Sequence, residues 1–131
     1  MRTGEAPQGE AVTSWIHSVT FDCSDPARVG MFWSRALGYE SVQRGDDYFW
    51  VEPSMGSATP LLFIKVPEGK QRKNRVHLDI ETNDRAAEVD RLIELGATIV
   101  EVGAPHDASW TMMADPEGNE FCVASEEEDG A

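Results

Sequence analysis

The sequence is poor in cysteine, in basic charge and in long apolar runs. Its two cysteines, Cys23 and Cys122, stand far apart with no Cys-x-x-Cys spacing, which argues against a zinc knuckle or a disulfide framework and predicts two reduced thiols. The longest apolar stretches, such as Leu61-Leu62-Phe63-Ile64, are far shorter than a bilayer span, so no membrane partner is expected. The opening Met1-Arg2-Thr3-Gly4-Glu5 lacks the apolar core of a signal peptide, and the expected location is cytoplasmic. Eleven Lys and Arg face twenty-four Asp and Glu, a formal net charge of -13. That surplus repels phosphate backbones and predicts no nucleic-acid partner. Part of it sits in the tail Glu126-Glu127-Glu128-Asp129; the rest favours cationic or neutral ligands over polyanions, although a solvated surface is the better explanation of it.

A chain of 131 residues, 40% of them hydrophobic, is long enough for one domain with a proper core. Residues 1–13, rich in Gly, Pro, Glu and Gln, carry no apolar periodicity and read as a flexible arm. Residues 14–125 carry the pattern of a folded domain, and 126–131 read as an acidic tail. In residues 15–23, Val19, Phe21 and Cys23 share one strand face while Ser18, Thr20 and Asp22 share the other. Ser24-Asp25-Pro26 then offers a helix cap with proline at the first helical position. Val29, Phe32, Trp33, Ala36 and Leu37 follow at helical spacing, and Gly38 closes the helix. Two short strands near 40–44 and 47–52 and an apolar strand at 61–66 complete the half.

The same punctuation then recurs. Val76, Leu78 and Ile80 alternate with His77, Asp79 and Glu81. Asn83-Asp84 caps a helix whose Val89, Leu92 and Ile93 are expected to face inward, and Leu95-Gly96 ends it. Strands near 98–102, 110–114 and 120–124 follow, the last two joined by Asp115-Pro116-Glu117-Gly118-Asn119, good turn chemistry. Cap and closing glycine lie thirteen residues apart in one half and twelve in the other, which marks an internal repeat. The fold class expected is therefore α+β: two tandem βαβββ modules, 14–66 and 74–125. They are expected to form a curved mixed sheet that cups a cleft, with one helix packed on the outer face of each module.

Three runs carry a family resemblance: Asp22-Cys23-Ser24-Asp25-Pro26 leading into Phe32-Trp33 and Leu37-Gly38; Lys73-Asn74-Arg75-Val76-His77-Leu78-Asp79; and Asp115-Pro116-Glu117-Gly118-Asn119-Glu120-Phe121-Cys122. In this order they resemble the glyoxalase-like branch of the vicinal oxygen chelate superfamily, which includes glyoxalase I, bleomycin-resistance proteins and extradiol dioxygenases. The resemblance implies a homodimer and a small-molecule ligand, handled by a lyase or isomerase or sequestered by a ligand-binding resistance protein. It also implies four metal-ligand positions. His77 occupies one. Ser18 stands at its counterpart in the first half, with His17 one residue off and on the opposite strand face. The strand 61–66 holds no acid for the third, and Cys122 takes the fourth. A divalent metal is thus not expected, although His77 with Cys122 or Asp79 offers a fragment of a site.

Without a metal, His77 is the expected acid–base group, with Asp79 or Asp22 as the carboxylate that holds its tautomer. Residues two apart on a strand sit about 7 Å apart, so a partner from across the seam is as acceptable as one along the strand. Ser18, Thr20, Trp50, Phe63, Glu81, Trp110 and Cys122 complete the expected ligand-binding set. The aromatics serve a cationic ligand as walls or the fold as ordinary core. Trp33 is read as core outright, His106 as a solvated loop residue, and Cys122 as a small lining group in surroundings too acidic to activate a thiol. Lys65, Lys70, Arg72, Lys73 and Arg75 read as a solvated linker, or less readily as a clamp on an anionic group.

Overall fold

The structure, a computed structural model, describes residues 13–54, 58–102 and 109–125. The arm up to residue 12, the tail 126–131 and His106 lie outside the described residues. The chain divides between Pro67 and Glu68 into two compact units.

In the first unit, β1 (Val19–Cys23), α1 (Pro26–Leu37), β2 (Glu40–Arg44), β3 (Tyr48–Glu52) and β4 (Leu61–Lys65) build a mixed sheet of order β1-β4-β3-β2. In the second, β5 (Leu78–Glu81), α2 (Arg85–Leu95), β6 (Thr98–Val102), β7 (Trp110–Ala114) and β8 (Glu120–Ala124) give the order β5-β8-β7-β6. The two βαβββ modules expected from the repeat are both present. In each, the first strand pairs in parallel with the last and the other neighbours are antiparallel.

The helix caps match their sequence signals. The Asp25 carboxylate accepts from the Arg28 N–H at 3.2 Å and the Asp84 carboxylate from the Ala87 N–H at 3.1 Å, each satisfying a donor that the first helical turn leaves open. Both helices stop at glycines with positive φ, 70° at Gly38 and 124° at Gly96, where a side chain would be strained. Helix α1 lays Val29, Phe32 and Trp33 on the sheet, and all three are buried. Phe21, Phe63 and Phe49 stand side by side on β1, β4 and β3 beneath it. The Phe21 and Phe63 ring centroids are 4.9 Å apart and those of Phe32 and Trp33 5.2 Å, the latter edge to face. In the second unit the core comprises Val89, Leu92, Met113, Phe121 and Val123, with Thr111 also buried and accepting from the Arg85 guanidinium at 2.7 Å.

Several sequence expectations need correction. Ile93 is 42% exposed, because Val89 and Leu92 take the helix stripe that meets the sheet. The first strands are shorter than their alternating runs. Pairing starts at Val19, whose N–H bonds to the Pro60 carbonyl, and Pro60 has no N–H with which to continue a ladder. Before β5, Asn74 donates its backbone N–H to the Glu120 carboxylate rather than to a strand.

Candidate functional site

Strand alternation sorts the second unit into two faces. Leu78 and Ile80 of β5 take the α2 side, whereas Asp79 and Glu81 are exposed on the far face. Register carries the division across the sheet: Asp79 lies opposite Cys122 on β8, and Cys122 opposite Met112 on β7. Trp110 and Glu120, each two residues from a member of that row, share the far face.

His77 precedes β5 by one residue. Its Nδ1 lies 3.1 Å from Asp79 Oδ1, so the carboxylate partner comes from along the strand. Positions two apart on a strand are separated by about 7 Å, a gap that the His77 and Asp79 side chains close by reaching along the chain. With Nδ1 turned to the carboxylate, Nδ1–H is the donor and Nε2 is left as the nitrogen available to another molecule. The imidazole is 40% exposed, which suits such an approach. Burial pushes the Cys122 thiol up, and the negative charge of Asp79 pushes it further, against a smaller opposing effect of a backbone hydrogen bond with Thr111. The thiol is therefore held protonated near neutrality.

The first unit's corresponding face carries different chemistry. Thr20 and Asp22 of β1 are exposed there, and Thr20 stands in one row with Leu62 and Trp50. The half-buried Trp50 donates its indole N–H to Glu52 Oε1 at 2.6 Å, which fixes the plane of the ring. His17 packs on that indole with ring centroids 5.6 Å apart, and its Nδ1 is 3.4 Å from the Ser18 hydroxyl. The sequence placed His17 on the opposite strand face. Because β1 begins only at Val19, alternation does not govern residue 17, and the ring turns toward Trp50. Phe63 also departs from expectation: it is wholly buried on the α1 side of β4. It belongs to the phenylalanine core and cannot touch a ligand.

Of the expected site residues, the structure thus brings His77, Asp79 and Cys122 together, with Glu81 and Trp110 on the same face. Ser18, Thr20, Asp22 and Trp50 belong to the first unit. Glu52, Met112 and Glu120 were missed. Glu52 carries the period-two signal of its neighbour Trp50 and could have been included; an acid just after a turn, as Glu120 is, gives no such signal.

The metal-ligand positions implied by the resemblance can be tested on this geometry. Leu62 stands opposite Thr20 as Cys122 stands opposite Asp79, so the first-half carboxylate position is a leucine. The residues at those positions are then an imidazole, the Ser18 hydroxyl, a hydrocarbon and a thiol; neither carboxylate position holds an acid, and the leucine offers no donor, so they do not fit a divalent ion held by four protein ligands. Among the described residues, no group of three or more His, Cys, Asp and Glu side chains is placed to hold a metal.

Residues 18–124 match the sequence profile of the glyoxalase-like domain. The chain belongs to that family. Solved structures with this fold include a glyoxalase-related enzyme from Fulvimarina pelagi, 17% identical, covering 86% of this chain and 88% of that one with a TM-score of 0.67. A variant of the fosfomycin resistance protein FosX from Listeria monocytogenes, complexed with Mn(II) and a dihydroxypropylphosphonic acid, is 11% identical and covers 86% and 90% with a TM-score of 0.68. The antibiotic-binding protein TnmS3 from a Streptomyces species is 23% identical and covers 88% and 98% with a TM-score of 0.62. No curated protein compared with the chain matches it by sequence. The solved structures that share this fold include both enzymes and an antibiotic binder. No helix among the described residues is long and apolar enough to cross a membrane.

Proposed function

We propose that this glyoxalase-like domain is a small-molecule enzyme of the lyase or isomerase kind, working by proton transfer at His77 without a bound metal. The observation that carries this reading is the contact of His77 Nδ1 with Asp79, which leaves Nε2 to take a proton from a carbon beside a carbonyl and to return it elsewhere. Asp79 holds the tautomer and stabilises the imidazolium formed in transit. Cys122, held protonated beside them, lines the site and does not attack. Glu81 and Trp110, on the same face of the second unit, serve as ligand-binding residues; on the first unit's own surface Asp22 is the further catalytic carboxylate, with Ser18, Thr20 and Trp50 as ligand-binding residues, all of them exposed or half-buried.

A second reading, a binding protein for a cationic aromatic compound, draws on Trp50. An indole whose N–H is tied to a carboxylate offers an electron-rich face, and cations favour such faces. His77→Ala separates the two readings. In a screen of carbonyl and cationic compounds followed by mass spectrometry, the enzyme should turn one over and the variant should lose about two to four orders of magnitude in kcat. Unchanged affinity with no turnover in either protein would give the chain to the second reading.

The cytoplasmic location and the homodimer belong to the same proposal. Neither cysteine is in a disulfide, which suits a reducing compartment. Ile99 and Val100 are 49% and 54% exposed on β6, apolar surface that a second copy of the chain would cover. Sedimentation equilibrium checks the dimer; a monomer at micromolar concentration would remove it.

A further inference from the structure

Residues 68–77 lead to β5 without regular structure and carry Lys70, Arg72, Lys73 and Arg75. Read as sequence, they are a solvated linker. In the structure they are tied to one residue. Glu120 Oε1 accepts the Asn74 backbone N–H at 2.8 Å, Glu120 Oε2 lies 3.3 Å from Lys70 Nζ, and the Glu120 carbonyl accepts from Asn74 Nδ2 at 3.2 Å. Lys70 also donates to the Arg72 carbonyl, which closes the strap on itself. The Glu120 side chain is only 15% exposed and keeps both carboxylate oxygens occupied.

This anchor sits where it governs His77. Glu120 opens β8, two residues before Cys122, and Cys122 faces Asp79 in the sheet. Asn74 is three residues before His77, and Leu78 begins the ladder one residue after it. Three residues fully extended reach at most about 10 Å, so a strap fixed at Asn74 and at Leu78 leaves the His77 backbone little room. No ladder bond holds residue 77 itself. We propose that Glu120 is a positioning residue for His77: by pinning the strap at Asn74 it sets the backbone from which the imidazole reaches Asp79. The inference rests on His77 as the acid–base group, but its test does not require a ligand.

The test follows the tautomer of His77 in protein labelled with nitrogen-15 at histidine. In the wild type the two imidazole nitrogens should give well-separated signals, Nδ1 protonated and Nε2 not. Glu120→Gln keeps an oxygen for the Asn74 N–H and should preserve that separation. Glu120→Ala removes both contacts of the carboxylate and should collapse it toward the average of two tautomers, while His17 in the first unit stays unchanged. Should Glu120→Ala fail to fold, the double variant Lys70→Met with Asn74→Pro removes the lysine contact and the backbone N–H that Glu120 holds, without altering β8, and should shift the His77 signals in the same direction. Unmoved His77 signals in a folded Glu120→Ala protein, or in the double variant, would overturn the proposal. Normal turnover by His77→Ala would instead sink the acid–base reading and leave these signals as they are.

Discussion

Gly30 of α1 and the ring of Phe49 on β3 approach so closely that a Cβ on Gly30 would lie 2.3 Å from Phe49 Cδ1 and 2.7 Å from Cγ. These are atoms at the root of the ring, and Phe49 is fully buried, so the ring cannot swing aside. The glycine is what lets the helix sit down on the sheet.

Gly30→Ala therefore tests the packing by its sign. Ala in an open helix position gains about 1 kcal/mol over Gly, whereas overpacking a core costs about 1–3 kcal/mol. We expect a net loss on the order of 1 kcal/mol in urea denaturation, recovered in part by adding Phe49→Leu. A more stable Gly30→Ala protein would contradict the contact.

The turn before β8 gives a second test. Asp115 is buried, and its carboxylate accepts the N–H groups of Glu117 and Asn119, both at 2.9 Å, and the Asn119 side-chain amide at 3.1 Å. Asp115→Ala leaves three partly buried donors without their acceptor and should cost about 1–3 kcal/mol. Asp115→Asn, which keeps one oxygen, should fall between. Equal midpoints for the wild type and Asp115→Ala would mean that the carboxylate does not organise the turn.

Alkylation probes the Asp79–Cys122 pair. Burial raises the thiol pKa first and Asp79 adds to it, so Asp79→Asn removes only the second influence. Iodoacetamide should modify Cys122 faster in that variant at a fixed mildly alkaline pH, because the thiolate fraction rises. Cys23, buried with its thiol 3.5 Å from the Ile64 carbonyl, should stay unmodified in both. An unchanged Cys122 rate would remove Asp79 from its electrostatic surroundings.

Acid stability reports on two carboxylates. Burial pushes Glu120 upward, but the Asn74 amide, its own backbone and Lys70 together hold its pKa below the ordinary glutamate value. Glu88 is likewise lowered, chiefly by its hydrogen bond from Arg91, a pair closed at 2.7 Å. A carboxyl depressed by folding contributes stability above its unfolded pKa and loses it as pH falls through the folded value. The stability difference between the wild type and Glu120→Ala should be full at about pH 7 and shrink only as pH drops below the ordinary glutamate range. A difference constant down to about pH 3 would show that the Glu120 charge has no part in it.

Strand, cap, helix and closing glycine were legible because each rests on neighbours in sequence: Asp25 and Asp84 cap helices that begin one residue later, and Gly38 and Gly96 end them. What was not legible depends on register or on distant residues. The run 61–64 is apolar throughout, so no alternation revealed that Phe63 faces the helix and Leu62 does not. His17 and His77 both lie just outside a ladder, where period two stops applying. The hold of Glu120 on Asn74 spans forty-six residues, beyond any local pattern.

One irregularity occurs twice. Pairing of β2 with β3 slips between Ser41 and Gln43, and pairing of β6 with β7 slips between Ile99 and Glu101. The residue skipped is Val42 in one unit and Val100 in the other, each four residues beyond the glycine that ends its helix and each about half exposed. A bulge bends the strand that carries it and sharpens the local twist. The outer strand of each unit is therefore re-aimed at the same step, so the repeat extends past cap, helix and closing glycine to the bend of the edge.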